Sequence, residues 1–280
     1  MRAQAPCQLI GGGSLRSMAE SERDLFIYRS LSDEQVQSFH DQGYIEFGRL
    51  LTDRGLALMC EEAMEEWNEE NREFDENQTW LKNSLLTNIH KRSNLIRRYY
   101  FHGPFVGVAE QLVGPNLKGV TSQLSFKLRG NIKLAPWHQD NGYGELDPYT
   151  AITCITALDD TDTESGCLWI IPRGHRLGQI DVSDQLTVES KEAMVEVSIE
   201  VDETNAIPIP MKAGESLIFH GWMPHKSLGN TSDRDRRLLF LRYADADAVE
   251  VYNNRKPRLG KLIRGNTRFS EVEEFEADLD

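Results

Sequence analysis

Basic residues are in short supply in this chain: 31 lysines and arginines stand against 45 aspartates and glutamates, a net charge of −14. Nucleic acids and anionic bilayers select for basic patches, so neither is expected as the main partner. Long apolar runs are missing too, and no stretch approaches the roughly 20 residues that a membrane-spanning helix needs. Cysteine is scarce. Cys7, Cys60, Cys154 and Cys167 are scattered at no metal-type spacing and without a secretion signal, which argues against a disulfide scaffold and for reduced thiols in a cytoplasmic protein. What is left, 39% apolar and 27% charged residues over 280 positions, is the composition of a globular protein, and β-rich domains of this size commonly form one unit.

Residues 1–30 are expected to be a flexible N-terminal extension. They carry Gly11-Gly12-Gly13 and no acid before Glu20, too short and too glycine-interrupted for a targeting peptide, and Met18 is an alternative beginning. Residues 31–280 are expected to form a single domain with a helical N-terminal part and an acidic, loosely ordered tail over Glu271–Asp280. Ser32 with Gln35 three residues on is a capping pair for a helix, and Gly43 to Phe47 reads as a short strand. From Thr52 to about Asn71 a second helix places Leu56, Met59, Ala63 and Trp67 on one stripe, with glutamates on the other side. Residues 79–105 mix aromatic and polar groups, and read as helices packed on the rest.

From Gly119 the period changes to two. Leu124, Phe126 and Leu128 alternate with Gln123, Ser125 and Lys127, so one face of that strand is apolar and the other polar. Ala151–Leu158 and Gly166–Ile171 are further β-prone runs, each closed by a polar or proline turn. Short strands separated by Gly, Pro, Asn and Asp turns indicate a mainly β fold, a barrel or jelly roll with the early helices outside. Residues 181–206 read as an irregular excursion over its mouth.

The chemistry is concentrated in Pro136-Trp137-His138-Gln139-Asp140. A His and an Asp two apart point to the same side of an extended chain, so imidazole and carboxylate can hold one metal together. His225, at the end of the turn Gly221–Pro224, is the best third ligand, with His220 as its rival. Two imidazoles and one carboxylate on one face leave open positions opposite, the arrangement of non-haem Fe(II) oxygenases. Taken alone, His138-x-Asp140 is equally a buried histidine hydrogen-bonded by its neighbour. Arg236 follows His225 by eleven residues, and a guanidinium gives a carboxylate two parallel charge-assisted hydrogen bonds. Arg236 shares its strand face with Phe240 and Arg242, while Arg237 shares the other with Leu239, Leu241 and Tyr243, so only one of Arg236 and Arg237 points inward.

The runs Trp137–Asn141, Ala157–Asp160, Glu164–Leu168, Ile171-Pro172 to His175-Arg176, and Gly214–Leu217 through His225-x-Ser227 to Arg236 resemble the phytanoyl-CoA dioxygenase family of Fe(II)/2-oxoglutarate oxygenases. The resemblance implies a double-stranded β-helix (jelly-roll, cupin-like) barrel, with Fe(II) held by His138, Asp140 and His225 and with 2-oxoglutarate and O2 as co-substrates. It implies that Arg236 and Ser227 bind 2-oxoglutarate. Lys127 matches a lysine that reaches the co-substrate there, though an edge-strand surface lysine is the competing reading, and Gln123 looks toward the metal. Ser227, two residues after His225, favours His225 over His220. Oxidative decarboxylation of 2-oxoglutarate to succinate and CO2 would drive oxidation of a C–H bond in a small molecule, a secondary metabolite, an amino-acid derivative or an acyl chain. Tyr143, Trp222 and Trp80 are candidate substrate contacts. Ile155 stands where many members have Trp, and Pro172-Arg173-Gly174-His175 replaces the usual Pro-Gly-Ser-His turn. The alternatives are a non-catalytic jelly-roll binding protein, and Zn-dependent hydrolysis at the same triad, which would leave Arg236 and Ser227 without a role.

Overall fold

A computed structural model describes residues 22–70, 73–140, 146–182, 185 and 197–279. In chain order its helices are α1 (Glu22–Leu25), α2 (Asp33–Gln42), α3 (Asp53–Glu69), α4 (Trp80–Ser84), α5 (Asn94–Phe101), α6 (Pro104–Val113) and α7 (Ser270–Glu274). Its strands are β1 (Tyr44–Arg49), β2 (Leu85–Thr87), β3 (Leu117–Lys127), β4 (Ala135–His138), β5 (Leu146–Asp147), β6 (Ile152–Ala157), β7 (Leu168–Ile170), β8 (Ile207–Ile209), β9 (Glu215–His220), β10 (His225–Ser227), β11 (Arg236–Asp245), β12 (Val249–Glu250), β13 (Lys256–Pro257) and β14 (Lys261–Arg264).

The capping chemistry sets the helices as the sequence indicates. Ser32 Oγ accepts from the Gln35 amide while the Gln35 side chain accepts from the Ser32 amide, a reciprocal cap at the start of α2. Gly43 ends that helix at φ +82°, donating to the Phe39 carbonyl, and a Cβ there would lie 2.3 Å from His175 Nδ1. Thr52 caps α3 through the Gly55 amide, and Met59, Ala63 and Trp67 of its stripe are buried, with Trp67 4.3 Å from Phe126.

Two antiparallel sheets carry the fold. The larger runs β1-β9-β6-β11-β3-β14, with β2 also paired to β3, and the smaller runs β4-β10-β7-β8. A short third sheet joins β13, β12 and β5. One apolar core lies between the helices and the outer face of the large sheet, and includes Leu124, Phe126, Leu239, Leu241 and Tyr243. The second, built from Ile155, Ala157, Leu217, Phe219 and Leu238 of the large sheet with Leu168, Ile170 and Ile209 of the small one, lies between the sheets. The result is a jelly roll made of two packed sheets that do not close into a barrel.

The period-2 reading of β3 and β11 holds. Arg237 faces outward, where Asp159 takes its backbone amide and Nε at 2.8 Å and its Nη2 at 2.6 Å. That ion pair, nearly buried, fixes the parity of β11 and turns Arg236 inward, 1% exposed.

Both chain ends differ from expectation. Residues 22–30 were expected in the flexible extension, yet Leu25 and Phe26 are buried, Phe26 bridges to Leu51, and Thr52 donates to the Leu25 carbonyl. Apolar side chains in the second half of that segment overrode its proximity to glycine. The acidic tail likewise is not loose. Val272 of α7 is buried, and Glu276 bonds His90 Nε2 at 3.0 Å and Lys91 Nζ at 2.7 Å, a pairing across 186 residues.

Candidate active site

The small sheet aligns two of the three candidate ligands. In the β10–β4 pairing His225 stands directly opposite His138, and the two rings lie 4.1 Å apart. Pro136 fits in β4 because β4 is an edge strand, where a missing N–H leaves no ladder bond unmade. Its carbonyl is also used, since His138 Nδ1 donates to it at 2.7 Å, and His225 Nδ1 donates to the Met223 carbonyl at 3.0 Å. A carbonyl only accepts, so both Nδ1 atoms carry the proton and both Nε2 lone pairs are left for a ligand. Asp140, just past β4, brings Oδ1 to 3.6 Å from His225 Nε2. One donor atom from each of the three residues lies within 4.8 Å of the others.

The electrostatics prepare the same state. Burial, reinforced by His225, lowers the pKa of His138 to about 3, and burial lowers that of His225. Burial pushes the Asp140 carboxyl up, but Arg242, the two imidazoles and a hydrogen bond from Thr153 outweigh it, and its pKa is lowered. At neutral pH the triad is therefore two neutral imidazoles and one carboxylate, the donor set a divalent transition metal takes up with positions left open.

Two contacts to Asp140 were not legible beforehand. Thr153 Oγ1 donates to Oδ2 and Arg242 Nη2 pairs with Oδ1; Thr153 and Arg242 are cross-strand neighbours in the β11–β6 register. Gln139, the residue between the ligands, was missed as well. It is buried, donates to the Gly178 and Trp222 carbonyls and accepts from the Ile180 amide, tying the loop after β4 to the turn that presents His225.

The triad opens onto a cavity of about 130 Å³ between the sheets. Arg236 lines it: Nη1 donates to Ser125 Oγ at 3.0 Å, Nε has no partner, and no carboxylate among the described residues pairs with it. Burial lowers the Arg236 pKa to about 10. Gln123 and Ser227 also line the cavity, as do Trp80, Leu81 and Leu85 from the segment of mixed aromatic and polar residues that packs on the sheet. Trp80 lies 6.1 Å from the His138 ring, and Val197 adds to the wall.

Other candidates fall elsewhere. Lys127 is fully buried rather than on the surface, and although it stands opposite Arg236 on the inner face it does not line the cavity: its ammonium donates to the Ser227 and Leu228 carbonyls, bracing the strand that carries Ser227. Trp222 does not line the cavity, because its ring stacks on Tyr149 at 3.7 Å and 8°. Tyr143 lies outside the described residues, as does half of the expected excursion over 181–206. His220 accepts from the Trp222 amide and is not part of the triad, and His175 donates to the His40 carbonyl from a 3₁₀ turn.

A jelly roll with a His-Asp-His cluster that could hold a metal and a buried guanidinium on the same cavity has the parts of an iron(II)- and 2-oxoglutarate-dependent oxygenase. Comparison with known proteins agrees. The chain belongs to the phytanoyl-CoA dioxygenase family, whose model matches residues 39–238. A methylphosphonate hydroxylase of Gimesia maris is 26% identical over 238 residues, covering 82% of this chain and 88% of the relative. A phytanoyl-CoA dioxygenase of Arabidopsis thaliana is 23% identical over 260 residues, covering 79% and 91%, and a 2-aminoethylphosphonate dioxygenase of an uncultured bacterium is 24% identical over 226 residues, covering 76% and 81%. Among solved structures, the α-ketoglutarate-dependent carbocyclase SnoK from nogalamycin biosynthesis superposes with a TM-score of 0.65 at 21% identity, covering 84% of this chain and 95% of that one, a likeness of fold. The chain is an Fe(II)/2-oxoglutarate-dependent dioxygenase that takes O2 as co-substrate.

Proposed function

We propose that this dioxygenase oxidises a C–H bond of a small organic molecule, with His138, Asp140 and His225 as the iron ligands and Arg236, helped by Ser227, as the anchor of the distal 2-oxoglutarate carboxylate. The observation that carries this reading is the pairing of a proton-free Nε2/Nε2/carboxylate triad with a buried arginine that has no carboxylate partner, both lining one cavity. When bound, iron with 2-oxoglutarate and O2 supplies the oxidising equivalents, and the balance is substrate, O2 and 2-oxoglutarate in, hydroxylated substrate, succinate and CO2 out.

The protein's own part is positional. The two Nδ1–H bonds to backbone carbonyls hold the imidazoles in one tautomer and one orientation. Thr153 and Arg242 hold the carboxylate, and Gln139 locks the loop between the ligands. Trp80, Leu81 and Leu85 form an apolar wall that excludes water and fits the carbon skeleton of a substrate.

The cavity, at about 130 Å³, is smaller than the roughly 300–1,000 Å³ that drug-sized ligands occupy, and favours small substrates. Methylphosphonate and 2-aminoethylphosphonate are the first to offer, since two relatives are named for acting on them. Buried free thiols at Cys60, Cys154 and Cys167 fit a reducing, cytoplasmic setting, and no helix among the described residues is long and apolar enough to cross a membrane. The test is succinate formation and O2 consumption with Fe(II) and 2-oxoglutarate, with and without each candidate substrate. Iron-dependent succinate formation is expected, and its absence under every condition would sink the assignment.

A further inference from the structure

The cavity holds a second guanidinium that the co-substrate does not account for. Arg236 and Arg242 both project from the inner face of β11, six positions apart, so their Cα atoms stand roughly 20 Å from each other along the strand. Arg236 is buried at one end. Arg242 is at the other, beside the metal triad, with 24% of its side chain exposed.

Its hydrogen bonding is incomplete. Nη2 pairs with Asp140 Oδ1, Nη1 reaches the Asp140 carbonyl only at 3.4 Å, and Nε is buried with no partner. Asp140 Oδ1 is also the oxygen nearest His225 Nε2, so a metal bound there takes the charge that Arg242 now shares, and Oδ2 is already held by Thr153. With a metal drawing on that oxygen, the guanidinium would keep a weakened partner and have donors to spare for a second anion.

Charge balance leads to the same conclusion. The cavity lining carries Arg236 and Arg242 against Asp140 alone, since the ammonium of Lys226 pairs with Glu203. A divalent metal raises that excess and the 2-oxoglutarate dianion only cancels the addition, leaving one positive charge beside the reacting position. The Gln123 side chain, which lines the same cavity, makes no hydrogen bond to any described residue and is a ready polar partner.

We propose that Arg242 is a specificity-determining residue that binds the oxyanion of a small alkyl substrate, a phosphonate or a carboxylate, and thereby places its carbon beside the metal. This rests on the oxygenase reading above. The apolar wall of Trp80, Leu81 and Leu85 receives the alkyl part.

The experiment measures calorimetric binding of methylphosphonate, propionate and the uncharged dimethyl methylphosphonate to protein loaded anaerobically with Mn(II) and 2-oxoglutarate, for wild type, Arg242→Gln and Arg242→Lys. Wild type binds at least one of the anions and not the ester, and the anion it prefers identifies the headgroup. Arg242→Gln, compared at matched Mn(II) loading because Arg242 also holds Asp140, loses roughly ten- to a hundredfold in anion affinity, the value of a charge-assisted hydrogen bond, and clearly less for 2-oxoglutarate. Arg242→Lys, which keeps the charge, recovers part of the loss. Equal binding of ester and anion, equal losses for 2-oxoglutarate and anion, no recovery with lysine, or no anion binding by wild type overturns the proposal. Failure of wild type to convert 2-oxoglutarate to succinate with Fe(II) instead removes the reading beneath it, so the two failures are distinguishable.

Discussion

Replacing Arg236 with methionine should make the ligand-free protein more stable while making it blind to 2-oxoglutarate. The side chain is 1% exposed, has one hydrogen bond, to Ser125, and no carboxylate partner. Burial lowers its pKa from 12.5 to about 10, and at about 1.4 kcal/mol per unit the site charges on the order of 3 kcal/mol for keeping the guanidinium protonated. Methionine removes that penalty and forfeits one hydrogen bond worth roughly 1 kcal/mol, so a net gain of about 1–3 kcal/mol is expected. For a chain of this size that is roughly 2–10 °C in Tm. Wild type, melted anaerobically with Mn(II) and 2-oxoglutarate at 100 times Kd, should gain about 2.7 kcal/mol, and Arg236→Met should gain nothing at that concentration. Arg236→Lys separates the causes: it keeps a buried charge, so the apo protein is not stabilised, and it loses the planar fork, so 2-oxoglutarate binds weakly. The reasoning is refuted if Arg236→Met still gains stability from 2-oxoglutarate as wild type does.

Asp140→Ala should abolish 2-oxoglutarate turnover and substrate oxidation, since it removes the one anionic ligand and strands Arg242; full activity in that variant, measured as succinate formed, would contradict the triad assignment. Glu276→Gln should cost about 1–3 kcal/mol, read as a lowered urea midpoint, because its nearly buried carboxylate bonds both His90 and Lys91. The metal-free protein should lose stability as pH falls from about 6.5 toward 3. His138 stays neutral when folded, with its pKa at about 3, but takes a proton near 6.5 when unfolded, so the unfolded state gains protons across that window. His138→Gln should flatten this part of the pH–stability curve, and an unchanged slope would contradict the burial argument.

Local chemistry was readable in the sequence and long-range pairing was not. The Ser32–Gln35 cap, the α3 stripe and the alternation of β3 and β11 depend on neighbours within a few residues, and all three stand as the spacing implies. Periodicity left two orientations for β11, however. Choosing between them took Asp159, which reaches Arg237 from 78 residues away. The contacts of Thr153 and Arg242 with Asp140 are illegible for the same reason: the sequence puts Arg242 on the face of Arg236 but gives it no partner, and both residues meet Asp140 only once β6 and β11 pair. Trp222 stacks on Tyr149 instead of lining the cavity, and in sequence an aromatic beside such a turn looks alike in either role. The acidic tail reads as solvated in sequence because the histidine and lysine that receive Glu276 lie far away in the chain.

The division of labour between the two sheets bears on how the protein should be handled. Both imidazoles hang from the small leaf, whereas the guanidinium that would seize the far end of the co-substrate, and the threonine and arginine that steady Asp140, hang from the large one. A metal ion held by His138 and His225 would chiefly tie β4 to β10. An oxo-diacid anchored by Arg236 and the metal would be a strut across the seam, and a protease that nicks the empty protein along that seam should find the loaded one shut.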